Sequence, residues 1–170
     1  MSGAIVVAER GGALGYAFED LMRYHGPGSP GGVAQAFKVL ERVLPLLEPG
    51  GLVERREIMI ETAFAGPGAR DAFEMVTRAV TEGRYVVVDT LARPELGAMR
   101  ERFVFRLGYR GRSVTTVLRD GYVREEFITL ARTEKRTDEQ ESRLTVLKQE
   151  LADRLLAAPA TEVYDVDGEV

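Results

Sequence analysis

The chain contains a single histidine, His25, within the glycine- and proline-rich segment RYHGPGSPGG, and Ser29 follows it four residues later. An imidazole can bind a metal ion, act as a general base or make a structural hydrogen bond. A Ser29–His25 pair would suit nucleophilic catalysis, but a triad also needs an orienting acid and an oxyanion hole, which the spacing does not show. His25 ends an apolar stripe of helical spacing, and this favours the structural role.

Metal binding is the second chemistry that His25 could support. The chain has no cysteine, which excludes disulfides, thiolate nucleophiles and thiolate metal ligands. A lone histidine needs carboxylate co-ligands to complete a zinc site. Glu61 and Asp71 are the candidates, with Glu74 as a further acid. A divalent ion such as zinc or nickel would therefore bind His25, Glu61 and Asp71.

The motif Gly-Pro-Gly occurs twice, at 26–28 and 66–68, each time just before a predicted helix. The free N–H groups and the positive dipole end of a helix start favour an anion. The first motif is neither a Walker A loop nor a dinucleotide fingerprint, because the Gly-Lys-Ser/Thr ending is missing and a helix precedes it. If the two turns meet, they form an anion-binding pocket; otherwise both are only turns. The predicted pocket residues are His25, Gly26, Gly28, Ser29, Gly66, Gly68 and Asp71.

Hydrophobic periodicity predicts the element order β-α-α-β-α-β-β-β-β-α. The first helix is predicted from Leu14 to His25, and Asp71 and Glu74 fall in the first turn of the third helix. The apolar run YVVVD is predicted to be a central strand that is covered on both faces. The remaining predicted strands are 4–8, 57–62, 102–109, 112–119 and 122–130.

Because helices and strands are partly segregated, the predicted fold class is α+β. It has two N-terminal helices, a mixed but mainly antiparallel sheet and a long C-terminal helix, which a Thr137–Gln140 capping box opens. The 170 residues suit one domain spanning 1–170, with an acidic tail at 159–170.

The net charge and the hydrophobic segments of the sequence indicate which classes of binding partner to expect. The net charge of −4 argues against nucleic-acid binding through bulk charge. No signal peptide is apparent, and no apolar run approaches the roughly 20 residues that span a bilayer. We therefore expect a cytoplasmic protein without nucleic acid or membrane as a partner. Arginines alternate along the predicted strands and mark an outer sheet face, which is either solvated or a protein interface: Arg102, Arg106, Arg112 and Arg119.

Three segments, in order, resemble the FmdE-like family, which is related to formylmethanofuran dehydrogenase. FEDLMRYHGPGSPGG is similar to the family's Phe-His-Gly-His-x-Cys-Pro-Gly segment, and IETAFAGPGARDAFEMVTRAVTEGRYVVVD to its next block. ELADRLLAAPATEVYDV resembles the leucine-rich C-terminal helix with its Ala-Pro ending. The resemblance implies an α+β domain, commonly dimeric, with a histidine and cysteine metal site.

The sequence departs from that pattern at the metal ligands. The family's second histidine aligns with Pro27, and its cysteines align with Ser29, Gly68 and a position near Ala79. Proline and glycine side chains cannot ligate, and serine is a poor replacement for a thiolate. The resemblance therefore implies the scaffold with a degenerate metal site and without the zinc-ribbon tail of longer members.

The leading interpretation is a homodimeric domain that binds a small anionic ligand or a partner subunit, as an accessory to oxidoreductase metabolism. Two alternatives stay open at this point. One is a metal-dependent enzyme that uses a histidine and carboxylate site. The other is a structural subunit of a larger complex, with the arginine-bearing sheet face as its interface.

Overall fold

The computed structural model describes residues 3–168, which form an α+β fold. Within these residues, six helices accompany a two-stranded sheet and a five-stranded sheet. The helices are α1 (Phe18–His25), α2 (Pro30–Leu47), α3 (Pro67–Thr77), α4 (Glu125–Ala131), α5 (Asp138–Ala157) and α6 (Ala160–Val163). The strands are β1 (Ile5–Glu9), β2 (Gly12–Tyr16), β3 (Met59–Thr62), β4 (Tyr85–Val87), β5 (Val104–Tyr109), β6 (Arg112–Leu118) and β7 (Tyr164–Asp167).

The larger sheet has the order β4-β3-β5-β6-β7. Only the β3–β4 pair is parallel, whereas the other three neighbouring pairs in this sheet are antiparallel. This agrees with the predicted mixed, mainly antiparallel sheet. β1 and β2 form a separate antiparallel hairpin.

Helix α2 lies at the centre of the molecule and packs against α3, α5 and the large sheet. It is buried nearly all round, so polar side chains on it need partners. Lys38 donates from Nζ to the Ala158 carbonyl at 2.7 Å, and the Tyr164 hydroxyl donates to Gln35. Phe37 is fully buried, and burial of such a ring contributes roughly 1.5–3 kcal/mol. These contacts hold α2 in place within the core.

The predicted start of the first helix is wrong. Residues 12–16 form strand β2, and α1 begins only at Phe18. Arg10 and Gly11 have φ angles of 49° and 86°, the backbone of a two-residue hairpin turn that favours strand pairing on both sides. The glycine pair therefore makes a hairpin instead of ending a strand before a helix.

Two further predictions about strands are wrong. Residues 125–130 of the predicted strand 122–130 belong to α4, whose first turn holds Glu125 and Glu126 as favourable partners of the helix dipole. YVVVD is not a doubly covered central strand, because β4 is at the edge of the sheet. Val86 and Val87 are 47% and 45% exposed.

The acidic C-terminal segment is part of the fold as far as Asp167. It contains α6 and β7, and β7 pairs with β6. Tyr164 is fully buried, whereas the Asp165 and Asp167 side chains are exposed and pair with Arg119 and Arg93. Residues 169 and 170 of the predicted tail lie outside the described residues. None of the described helices has the length and hydrophobicity that crossing a membrane requires.

Candidate functional site

A cavity of about 440 Å³ lies where α2 and α3 begin, and residues near α4 and α5 complete its wall. Ser29, Gly31 and Gly32 line it from the start of α2, and Gly66–Gly68 line it from the start of α3. The sequence left open whether the two Gly-Pro-Gly turns meet. In the structure the second turn lines the cavity, and the first ends at Gly28, directly before the lining residue Ser29.

Glycines allow the two helix starts to approach this closely. A Cβ atom added to Gly68 would lie 2.5 Å from the Ser29 carbonyl oxygen, and one added to Gly32 would lie 3.2 Å from the Ala69 nitrogen. A larger residue at Gly68 would push the helices apart. Packing between the two helices therefore explains why glycine occupies these two positions. The close approach also places the starts of α2 and α3 beside the same cavity.

Neither helix start at the cavity is neutralised by its own side chains. Both α2 and α3 have proline at the first turn, and within their described ranges no acidic residue occupies that turn. The N-cap residues Ser29 and Gly66 make no side-chain cap in the described structure. The first N–H groups of a helix have no intrahelical acceptor, so this end of the cavity favours an anion or water.

Three cationic side chains line the cavity, and no acidic side chain is among its described lining residues. Arg102 donates to Asp89 Oδ1 at 2.9 Å, and Arg132 donates to Glu101 Oε1 at 3.1 Å. Each bond uses one of the five N–H donors that a guanidinium offers. The third cation, Lys148 of α5, donates from Nζ to the Gly28 carbonyl at 3.0 Å, directly beside the first Gly-Pro-Gly turn.

The rest of the cavity wall is mainly apolar. Phe64 follows β3 and Phe103 precedes β5, and because these strands are antiparallel neighbours the two rings meet, with centroids 4.8 Å apart. Phe127 and Ile128 of α4 add a third ring and a branched side chain. A mainly apolar pocket with a few polar groups is the usual form of a small-molecule site.

His25 and Asp71 bind each other beside the cavity but do not line it. His25 Nδ1 lies 2.8 Å from Asp71 Oδ2, and the His25 side chain is only 9% exposed. Asp71 is in the second turn of α3, not in the first turn as predicted, because α3 begins at Pro67. The pair ties the end of α1 to α3. Gly26, at a φ of 91°, ends α1.

Only two of the three predicted metal ligands, His25 and Asp71, are brought together, and Glu61 does not join them. Glu61 lies on β3 and accepts two hydrogen bonds from Arg106, at 3.1 and 2.9 Å. This bidentate contact raises the pKa of Arg106 above its ordinary value. Within residues 3–168, no group of three or more histidine, aspartate or glutamate side chains is arranged to hold a metal ion.

Sequence patterns predicted only part of the cavity wall. Of the predicted pocket residues, Ser29, Gly66 and Gly68 line the cavity, and Gly28 contributes its carbonyl to Lys148. The other predicted residues, His25, Gly26 and Asp71, are not among its lining residues. The aromatic residues and the cations were missed, since they come from four separate stretches of chain. Arg102 was predicted to lie on the outer sheet face, yet it precedes β5 and lines the cavity. The one local signal is on α4, where Ile128 and Arg132 are spaced by one helical turn.

No protein-family model matches the chain, and no curated protein is similar enough to count as a relative. The fold and cavity define a class: an α+β domain with a mainly apolar cavity whose described lining includes three cationic side chains. The resemblance to the FmdE-like family stays a prediction.

Proposed function

We propose that this protein binds a small organic anion in the cavity at the starts of α2 and α3. One observation carries the proposal: three cationic side chains, and no acidic one, are among the described residues that line this apolar cavity. Charged groups inside a largely apolar wall interact with a ligand more strongly than they would in water. The two uncapped helix starts add partial positive charge at the same place.

A second concavity is less suited to an anion. It lies between β1 and the end of α2, has a volume of about 330 Å³, and is lined by residues such as Leu44 and Leu52. Its charged lining residues within the described chain are Glu41 and Glu48, so it disfavours an anion. None of the sequence-predicted pocket residues lines it. The cavity at the helix starts is therefore the better candidate.

The resemblance to the FmdE-like family extends the proposal to the family, location and oligomeric state of the protein. The chain would be a divergent member of the FmdE-like family, cytoplasmic and homodimeric, serving as an accessory to an oxidoreductase. One contact supports this reading. Ser29 and Gly68, the two positions that the resemblance aligns with cysteines, adjoin, since a Cβ added to Gly68 would lie 3.0 Å from the Ser29 Cβ. An organic anion would then occupy the neighbourhood of the lost metal site.

Isothermal titration with acetate, benzoate and inorganic phosphate tests the proposed function. We expect at least one of these anions to bind, and its affinity to fall about tenfold or more in Arg132→Gln and Lys148→Gln, because hydrogen bonds to charged groups contribute roughly 1.5–3 kcal/mol. The matched control is Arg112→Gln, which removes the same charge from an exposed residue of β6 that does not line the cavity.

Two results of this titration would contradict the proposed anion binding. Absence of binding by all three anions at millimolar concentration contradicts the proposal. Equal weakening in the Arg112 control contradicts it too, because the effect would then be one of net charge. Circular dichroism melting of each variant shows that a lost affinity is not a lost fold.

A further inference from the structure

Three of the four large apolar side chains in the cavity wall are aromatic. Phe64, Phe103 and Phe127 come from three different parts of the chain: the end of β3, the start of β5 and helix α4. The chain has only 7 phenylalanines in all. Their convergence at one cavity suggests that ring contacts, and not only apolar area, matter there.

Two of the rings form a fixed surface. Phe64 and Phe103 are tilted by 37° with centroids 4.8 Å apart, and Phe64 also meets the ring of Phe105 edge-on at 6.3 Å. Phe103 is only 3% exposed, so its ring is held by the core. The Phe64 ring keeps part of its area exposed, so a planar ligand ring can stack or pack edge-on against Phe64 without requiring it to rearrange.

Guanidinium groups adjoin this aromatic surface. Arg102 directly precedes Phe103, and Arg132 lies at the end of α4, one turn after Ile128. A guanidinium binds a carboxylate with two parallel N–H donors, and it also packs flat against aromatic rings. A ligand with a carboxylate attached to a flat ring could contact the guanidinium groups and the aromatic side chains at the same time.

The size of the cavity limits how large that ligand can be. About 440 Å³ lies near the lower end of the roughly 300–1,000 Å³ usual for small-molecule sites. One or two fused rings with a carboxylate fit that space.

We infer that the ligand is an aromatic carboxylate. Its ring packs against the partly exposed Phe64 and Phe127, with the buried Phe103 supporting Phe64, and its carboxylate is held by Arg102, Arg132 and Lys148. This inference rests on the proposed function, since it names the class of anion that the same cavity takes. Phe127 is then a specificity-determining residue, because it is the ring contributed by the short helix α4.

Titration with three carboxylates of equal charge tests the inference: 2-naphthoate, octanoate and acetate. We expect 2-naphthoate to bind at least fivefold more tightly than octanoate, and acetate to bind weakest. The chain has no tryptophan, so naphthoate fluorescence gives an independent signal without indole background. In Phe127→Leu, which keeps an apolar side chain and removes the ring, naphthoate affinity is expected to fall at least threefold while octanoate affinity is unchanged.

Each contrary outcome has a distinct meaning. If octanoate binds as tightly as 2-naphthoate, or if Phe127→Leu weakens both equally, the aromatic inference is wrong. If acetate binds in a manner that depends on Arg132 and Lys148 but 2-naphthoate gains nothing over it, the proposed function stands and only the inference falls. If no carboxylate binds while inorganic phosphate does, the aromatic inference is overturned, and the proposed anion site stands for a phosphate-bearing ligand instead of a carboxylate. If nothing binds, the proposed function fails with it.

Discussion

Helices α2 and α5 begin in opposite ways. At α5, Thr137 and Gln140 exchange side-chain and backbone hydrogen bonds of 3.1 and 3.0 Å, and Asp138, Glu139 and Glu141 follow in the first turn. At α2, Ser29 makes no cap, and proline and glycines occupy the first turn. Helix α3 begins like α2, with Gly66 as its N-cap and Pro67 in the first turn.

The difference concerns what neutralises the positive end of each helix. At α5 the chain's own carboxylates and capping side chains do so locally, as is usual for a stable helix. At α2 and α3 the described chain places neutral residues in the first turn and cations around the cavity beside them. This region gives up some helix stability, which is the pattern expected where function opposes stability and is consistent with the proposed anion site.

The largest expected effect concerns the close approach of the two helix starts. Gly68→Ala should lower the free energy of unfolding by about 2–3 kcal/mol, because the new Cβ would lie 2.5 Å from the Ser29 carbonyl oxygen. Gly28→Ala is the matched control, since a Cβ there meets no described atom within 4 Å. Urea denaturation measures both. Equal stability of the two variants would show that the helix starts are not tightly packed.

Removing the cap of α5 should have the next largest effect. Thr137→Ala is expected to lower the free energy of unfolding by about 1 kcal/mol, because the capping hydrogen bonds with Gln140 are lost. Ser29→Ala at the start of α2 should change it by less than half as much, since Ser29 makes no cap. A similar loss in both variants, measured by thermal melting, would remove the contrast between the two helices.

An acidic residue introduced at the cavity should raise the stability of the fold and weaken anion binding. In Ser29→Asp, the carboxylate can cap α2 and face its positive end, and we expect a gain of about 0.5–1 kcal/mol in the free energy of unfolding. The same charge should weaken binding of the anion, because it lies among the groups that would hold the ligand. Melting and titration of one sample measure both effects. A more stable variant with unchanged anion affinity would contradict the proposed site.

The smallest effect is a pH dependence of the contact between α4 and α5. Arg143 hydrogen-bonds Glu126 and lowers the pKa of that exposed carboxyl below its ordinary value of 4.5. The contact therefore stabilises the fold fully above pH 4.5, and this contribution is lost as the pH falls through the lower pKa of the folded state. Glu126→Gln should make the fall in melting temperature between about pH 5 and pH 3 slightly less steep. An unchanged slope would show that this pair does not contribute.

Local patterns predicted much of the fold. The apolar stripes predicted α2, α3 and α5, and the Thr137–Gln140 capping box is confirmed. The α+β class is confirmed as well. Local patterns failed for β2 and α4, because a short segment with few apolar residues satisfies helical and strand spacing about equally well.

The candidate site was harder to predict than the fold. Its glycines were recognisable because each stands in a short motif with a proline. Its cations were not, because Arg102, Arg132 and Lys148 are far apart in sequence and no spacing links them. His25 was a candidate because it is the only histidine in the sequence. In the structure it hydrogen-bonds Asp71, which is 46 positions away in sequence, and so connects α1 to α3.

By itself, the sequence determined that thiolate chemistry is impossible, since there is no cysteine. It also determined where α2 and α3 can begin, because proline at the first turn and a preceding glycine-rich turn favour a helix start. Only the tertiary structure decided that these two starts meet, that Glu61 pairs with Arg106 away from His25, and that three cations and three rings surround one cavity. The physical reason is that helix starts depend on neighbouring residues, whereas a cavity depends on long-range packing that leaves no periodic signal in the chain.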